Sequence, residues 1–316
     1  SSTSPTISGS SAEVGSSKSI TLGSMASERA MATRCCCPPE SWAGYFAAWC
    51  LAQQSWLDDY TLFMAIRSPL NGQPWWTWED GLYYLPHCWG SEAISYRTDL
   101  YKGNPADLSY GSLWADDVKG HVQGRPHSLL LGIGLWMDAT GQLKSNRMLD
   151  AYKDEATMKA IYDKLLKFAI EHKAWIKQFW DSADNTKSGL LENGVVIGQT
   201  WDGPPLGLKK AGKPVSYMAP QEGVITWLDG WAMSKGAKNI DQAYAWLKYC
   251  HSKEASAKVA DGSGYNPVAK GADELLSPAA KKNFQEAYPG DSLKNLWPWP
   301  AEPSWFAELR NQYTDK

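Results

Sequence analysis

At 316 residues the chain is too long for one ordinary core and suits two compact units of roughly 100 to 200 residues each. Hydrophobic residues make up 43% and charged residues 21%, a globular composition, and the longest apolar run, Leu129 to Met137, falls far short of the ~20 residues of a membrane helix. A formal net charge of -3 with interspersed signs leaves no basic stripe, which argues against nucleic acid as a partner.

Ser1 to Lys18, rich in Ser, Gly and Thr, has neither a basic start nor a hydrophobic stretch. It reads as a flexible leader rather than a signal peptide, so an exported protein would have its targeting segment outside this chain. Ser19 to Gly23 reads as a short buried strand. Residues 25 to 73 give no clean period apart from a helix between Trp42 and Phe63. From Trp75 strand-like runs appear around Tyr83 and over Ile94 to Tyr96, with a turn between them at Pro86 to Gly90. Asp107 to Trp114 reads as loop and short helix. Leu129 to Met137 is an apolar helix that Ser128 or a neighbour would cap, with Gly141 near its end. Met158, Ile161, Leu165, Phe168, Ile176 and Phe179 keep helical spacing, which predicts one helix over Ala156 to Trp180. Gly194 to Trp201, Pro214 to Tyr217 and Gly223 to Trp227 read as strands; Ile240 to Cys250, Lys253 to Val259 and Pro278 to Ala287 read as helices. Strands and helices alternate, so the class is α/β with mainly parallel sheets.

Of the six cysteines, Cys35, Cys36 and Cys37 are adjacent, and Cys50, Cys88 and Cys250 stand apart. No CxxC or HxxxH spacing accompanies them, so neither a disulfide framework nor a metal site is expected, and no cofactor. Eighteen Trp and fifteen Tyr supply flat apolar faces. Such faces pack cores, and they also enclose alkyl chains and attract ammonium groups, at ~0.5 to 2 kcal/mol per cation–π contact. A cationic small ligand fits that composition.

YLPHCWGSEAISYRTDL, SLWADDVKGHV, GRPHSLLLGIGL, GVVIGQTWDG, GKPVSYMAPQEGVITWLDGWAM and GSGYNPVAKGADELLS follow one another from Trp75 onward. In order and spacing this series resembles the extracellular solute-binding proteins of the spermidine/putrescine type, a family that includes receptors for γ-aminobutyrate. The resemblance implies the type II periplasmic-binding-protein fold, two lobes with a ligand cleft between them. The first lobe would be residues 1 to 93 plus 230 to 272, the second 94 to 229 plus 273 to 316. It further implies a periplasmic, monomeric receptor that delivers its ligand to an inner-membrane ABC permease. Residues 25 to 73 depart from the family, which places an aromatic loop, a helix and a strand there. That stretch is either a divergent lobe segment or a mis-assigned piece of sequence.

The resemblance also implies the binding residues. Trp227 and Asp229 match a Trp-x-Asp motif that gives polyamine binders an aromatic wall and a carboxylate for an ammonium group, a charge-assisted pairing. The alternative for Asp229 is a surface carboxylate beside a core Trp. Trp201 matches a second aromatic wall, with Asp202 after it, and Tyr265 matches a tyrosine near the hinge. Trp89, Gly90 and Ser91 match a Trp-Gly-Thr turn at the lobe crossing, with Gly90 there for backbone geometry and Ser91 as a donor to ligand. Where polyamine binders carry an Asp and a Glu three residues apart, this chain has Arg125 and Ser128. Arg forks onto carboxylates, so Asp229 and Arg125 together suit a zwitterion such as γ-aminobutyrate or a similar amino acid. The alternatives are a putrescine- or spermidine-type polyamine, with Arg125 in a structural salt bridge, or a non-transport module that binds carbohydrate or a surface. No G-x-S-x-G elbow, HExxH or phosphate loop is present, so no enzyme is expected.

Overall fold

The computed structural model describes residues 85–232 and 237–316. The expected strand at 19–23, the helix at 42–63, the run around Tyr83 and the atypical stretch 25–73 lie outside the described residues. In chain order the main elements are β1 (Leu85–Arg97), β2 (Val122–Gly124), α1 (Pro126–Ala139), α2 (Glu155–Glu171), β3 (Ile176–Phe179), α3 (Ala183–Leu191), β4 (Ile197–Trp201) and α4 (Gly203–Lys210). They continue with β5 (Val215–Met218), β6 (Val224–Trp231), α5 (Ile240–Cys250), α6 (Lys253–Ser263), β7 (Asn266–Pro267), α7 (Pro278–Ala287), β8 (Leu296–Pro298) and α8 (Phe306–Thr314).

The thirteen-residue β1 organises the sheet. Cys88 pairs with Asp229 of β6 and with Pro267 of β7, so those two strands lie on opposite edges of its first half. Ile94 pairs with Gln199 of β4 and with Met218 of β5, which flank its second half. All four ladders are antiparallel, whereas β2 runs parallel to β3 and β4, and β8 runs parallel to β6. The α/β alternation read from the sequence is present, and the sheet is mixed because one long strand meets returning partners on both edges.

Three local expectations are corrected. Pro86 to Gly90 is not a turn. It is the first half of β1, with a register shift between Pro86 and Cys88 that accommodates the proline. The long helix ends at Glu171: a 3-10 turn over Lys173–Trp175 leads into β3, whose residues alternate between half-buried and exposed as a strand at a sheet edge does. Apolar positions at Ile176 and Phe179 fit both periods, and pairing with β2 decides for the strand. Nor does Ser128 cap α1. Arg125 occupies the N-cap, Pro126 follows it, and no side chain caps the helix.

Alternation fixes what each face of β1 carries. Residues opposite one another share a face, so Cys88, Gly90, Glu92 and Ile94 lie with Trp227 and Asp229 of β6 and with Trp201 and Gln199 of β4. Trp89, Ser91, Ala93 and Ser95 lie on the reverse face with Leu228, Asn266 and Tyr217. The larger core gathers around α1, whose Leu129, Leu130, Leu131, Ile133, Leu135 and Met137 are all buried, against Met158, Ile161 and Leu165 of α2 and Phe306, Leu309 and Tyr313 of α8. A helix apolar on nearly every side is buried on nearly every side. A smaller core on the reverse face joins Trp89, Ala93, Leu206, Tyr217, Val224 and Tyr288.

Candidate ligand site

The aromatic residues of the site form a connected row. Trp227 on β6 lies 6.3 Å from Trp201 on β4 and 6.2 Å from Tyr265, just before β7, centroid to centroid. All three are half-buried. The indole of Trp227 crosses the backbone of Gly90 so closely that a Cβ there would sit 2.4 Å from Cζ2. Gly90 is therefore needed for close approach, which is the geometric role expected of it.

Asp229 stands two residues beyond Trp227 on β6, hence on the same face, and is exposed. Among the described residues the thiol of Cys88 donates to its Oδ2 over 3.8 Å. Burial, and after it the charges of Asp229 and Asp202, push the Cys88 thiol up to about 12, so it stays protonated and keeps donating at neutral pH. An exposed carboxylate beside aromatic rings is a place where an ammonium group exchanges little hydration for a charge-assisted contact.

Arg125 is already engaged. Its Nη2 donates to Oε2 of Glu92 over 2.8 Å and its Nε to Oγ of Ser128 over 3.3 Å. The guanidinium lies over Trp180 at 5.1 Å and over Trp201 at 5.3 Å. Glu92 is fully buried, and its Oε1 has no hydrogen-bond partner among the described residues. Burial raises the Glu92 pKa, against which the Arg125 guanidinium and the Ser128 hydroxyl pull. Ser128 itself is wholly buried in the first turn of α1, its carbonyl accepting from Nε2 of Gln199 at 2.8 Å. The structural salt bridge named as the alternative for Arg125 is thus formed. His127, beside it, is pushed down to about 3 by burial and then by Arg125, and so is neutral.

Ser91 and Asp202 belong to the other side of the sheet. The Ser91 hydroxyl meets the Tyr217 hydroxyl at 2.7 Å and the Tyr288 hydroxyl at 2.5 Å. Asp202 Oδ2 accepts from the Ser91 amide at 3.2 Å, the Tyr288 hydroxyl at 3.3 Å and the Asn266 amide nitrogen at 3.3 Å, while Oδ1 accepts from the Gly203 amide at 2.9 Å. Both are fully buried, and Asp202 caps α4. Burial pushes its carboxyl up to about 7 despite these donors. Their protein partners occupy the groups that were expected to reach ligand. A crevice of about 270 Å³ also opens beyond Tyr265, between Leu206, Lys210, Asp261 and Phe284. Its acid is tied to the Ser277 hydroxyl, and neither Trp227 nor Asp229 lines it.

Sequence reasoning missed Glu92, Trp180 and Cys88. Glu92 was discoverable from strand parity, two residues past Gly90 in a run that must be buried. Trp180 carried no such signal, since the helical period hid the strand before it.

A mixed α/β sheet and a long strand shared by two sets of partners thus carry, on one face, a row of aromatic rings and an exposed carboxylate. The chain belongs to the bacterial extracellular solute-binding protein family, whose model matches residues 70–287. It is 27% identical over 215 residues to the spermidine/putrescine-binding periplasmic protein of Escherichia coli K12, covering 67% of this chain and 57% of that one. It is 35% identical over 233 residues to the putrescine-binding periplasmic protein PotF of the same strain, covering 69% of this chain and 60% of the relative. The chain thus spans less than two thirds of the length of these curated relatives. Its fold matches the spermidine/putrescine ABC transporter substrate-binding protein PotD of Streptococcus pneumoniae with a TM-score of 0.57 at 24% identity, over 74% of this chain and 69% of that one. A GABA receptor matches with a TM-score of 0.54 at 18% identity, over 74% and 67%. These are binding proteins of the two-lobe type, and the fold is theirs.

Proposed function

We propose that the chain is the periplasmic solute receptor of an ABC importer and captures a small amine-bearing molecule, for delivery to an inner-membrane permease, rather than catalysing a reaction. The observation that carries the reading is the placement of exposed Asp229 on the strand face shared by Trp227, Trp201 and, at 6.2 Å from Trp227, Tyr265. The ammonium would pair with Asp229 while the rings cover its methylenes. Among the described residues no three His, Cys, Asp or Glu side chains could hold a metal ion together, and no helix is long and apolar enough to cross a membrane.

The lobes in this reading are 1–93 with 230–272 and 94–229 with 273–316. Support comes from β1 and β6, which run through residues 93 and 230 as continuous strands and would serve as the crossings. Closure follows if ligand touching both sides binds the closed state better. Two finer ligand readings remain from the family: a γ-aminobutyrate-like zwitterion and a polyamine. The Arg125–Glu92 pair weighs on the first. Drawing Arg125 toward a ligand carboxylate would leave Glu92 buried and uncompensated, which costs about 3 to 5 kcal/mol. Isothermal calorimetry with primary amines, γ-aminobutyrate and putrescine tests the reading: binding of an amine, returned chemically unchanged, is expected, and absence of any amine binding overturns it.

A further inference from the structure

We infer that Glu92 sets the ligand's charge, making this a receptor for a monoamine whose other end is an uncharged hydrogen-bond acceptor. This rests on the amine-receptor reading of the same site. Along the row of rings the fixed charges are few. Asp229 is exposed and, among the described residues, accepts a hydrogen bond from the Cys88 thiol alone. At the other end, Arg125 is matched by Glu92 at 2.8 Å, and His127 is neutral. The pair therefore cancels, and the net charge that the described residues offer along the row is that of a single carboxylate. A diamine would bring a second ammonium toward the Arg125 guanidinium, and a zwitterion would bring a carboxylate toward buried Glu92.

The pair still has something to offer a ligand. Arg125 uses Nη2 and Nε within the protein and makes no hydrogen bond through Nη1 among the described residues. Its side chain is 24% exposed, whereas that of Glu92 is not exposed at all. A guanidinium nitrogen partly open to solvent, backed by its own counter-ion, donates to a carbonyl or hydroxyl oxygen without demanding a charge on it. Trp201 lies both over Arg125, at 5.3 Å, and next to Trp227, at 6.3 Å, and so connects the amine end to the acceptor end.

The test compares 4-aminobutanamide, γ-aminobutyrate and putrescine, alike at one end and uncharged, anionic or cationic at the other, by calorimetry on the wild type and on Glu92→Gln. The wild type should bind the amide at least tenfold more tightly than either competitor. Glu92→Gln keeps the side chain's shape and removes its charge, so it should move the acid-to-amide preference at least tenfold toward γ-aminobutyrate. A wild type without that lead for the amide, or a folded Glu92→Gln with an unchanged ratio, overturns the inference while leaving an amine receptor standing. Should Glu92→Gln not fold, the wild-type ranking decides alone. If none of the three binds, the receptor reading falls, and this inference with it.

Discussion

Trp227 lies across Gly90 on the neighbouring strand, with room for a hydrogen at the glycine Cα and for nothing larger. The position of the indole on the sheet face is therefore set by a backbone atom of β1. Gly90→Ala should push the ring off the sheet face, at a stability cost of about 1 to 3 kcal/mol typical of overpacking. Amine affinity should fall at least tenfold, and calorimetry with a urea melt separates the two effects. Unchanged affinity would mean the ring's place does not matter to binding.

Arg125 and Glu92 should behave as a unit in stability. Arg125→Met strands a buried carboxylate and should cost about 3 to 5 kcal/mol, whereas Glu92→Gln combined with Arg125→Met should recover most of that loss. Urea unfolding of the single and double variants measures the coupling, and simple additivity would contradict it.

Asp202 predicts a pH dependence of known sign. Its folded pKa of about 7 lies above the usual carboxylate range because of burial, so the folded protein holds the neutral form more readily than the unfolded chain does. The stability it contributes is complete below about pH 4 and is lost as pH rises through about 7, at about 1.4 kcal/mol per unit of displacement. The Tm difference between wild type and Asp202→Asn should therefore move in favour of Asn between pH 5 and pH 8. Comparison with the variant is needed because His127 and His251, both pushed down by burial, give the wild type an opposite slope at the acid end.

Phe306 at the start of α8 is fully buried and stacks on Tyr152 at 4.1 Å with ring planes 12° apart. Phe306→Ala should cost about 3 to 5 kcal/mol and release the last helix first, seen as early amide exchange over 306–314.

Much of this architecture was legible in the sequence. Ile240–Cys250 and Pro278–Ala287 end where their period and flanking residues place the ends, with Ser277 capping the second. What was hidden depended on partners distant in the chain. Pro86 and Gly90 signal a turn locally, yet strands on both edges of β1 hold them extended. Ser91 follows Gly90 by one residue and so faces away from Trp227, a parity that only a continuous strand imposes. Arg125 was visible as a lone cation. Its counter-ion, 33 residues earlier, was not, because nothing local marks a buried glutamate as paired.

In the proposed receptor the Asp229 carboxylate on the aromatic face receives an ammonium group. Calorimetric titration of wild type and Asp229→Asn with one series of primary amines tests it directly. Measurable binding to the wild type and at least a tenfold loss in Asp229→Asn are expected, with Tm unchanged because the side chain is exposed. Equal affinity in the two proteins would contradict it.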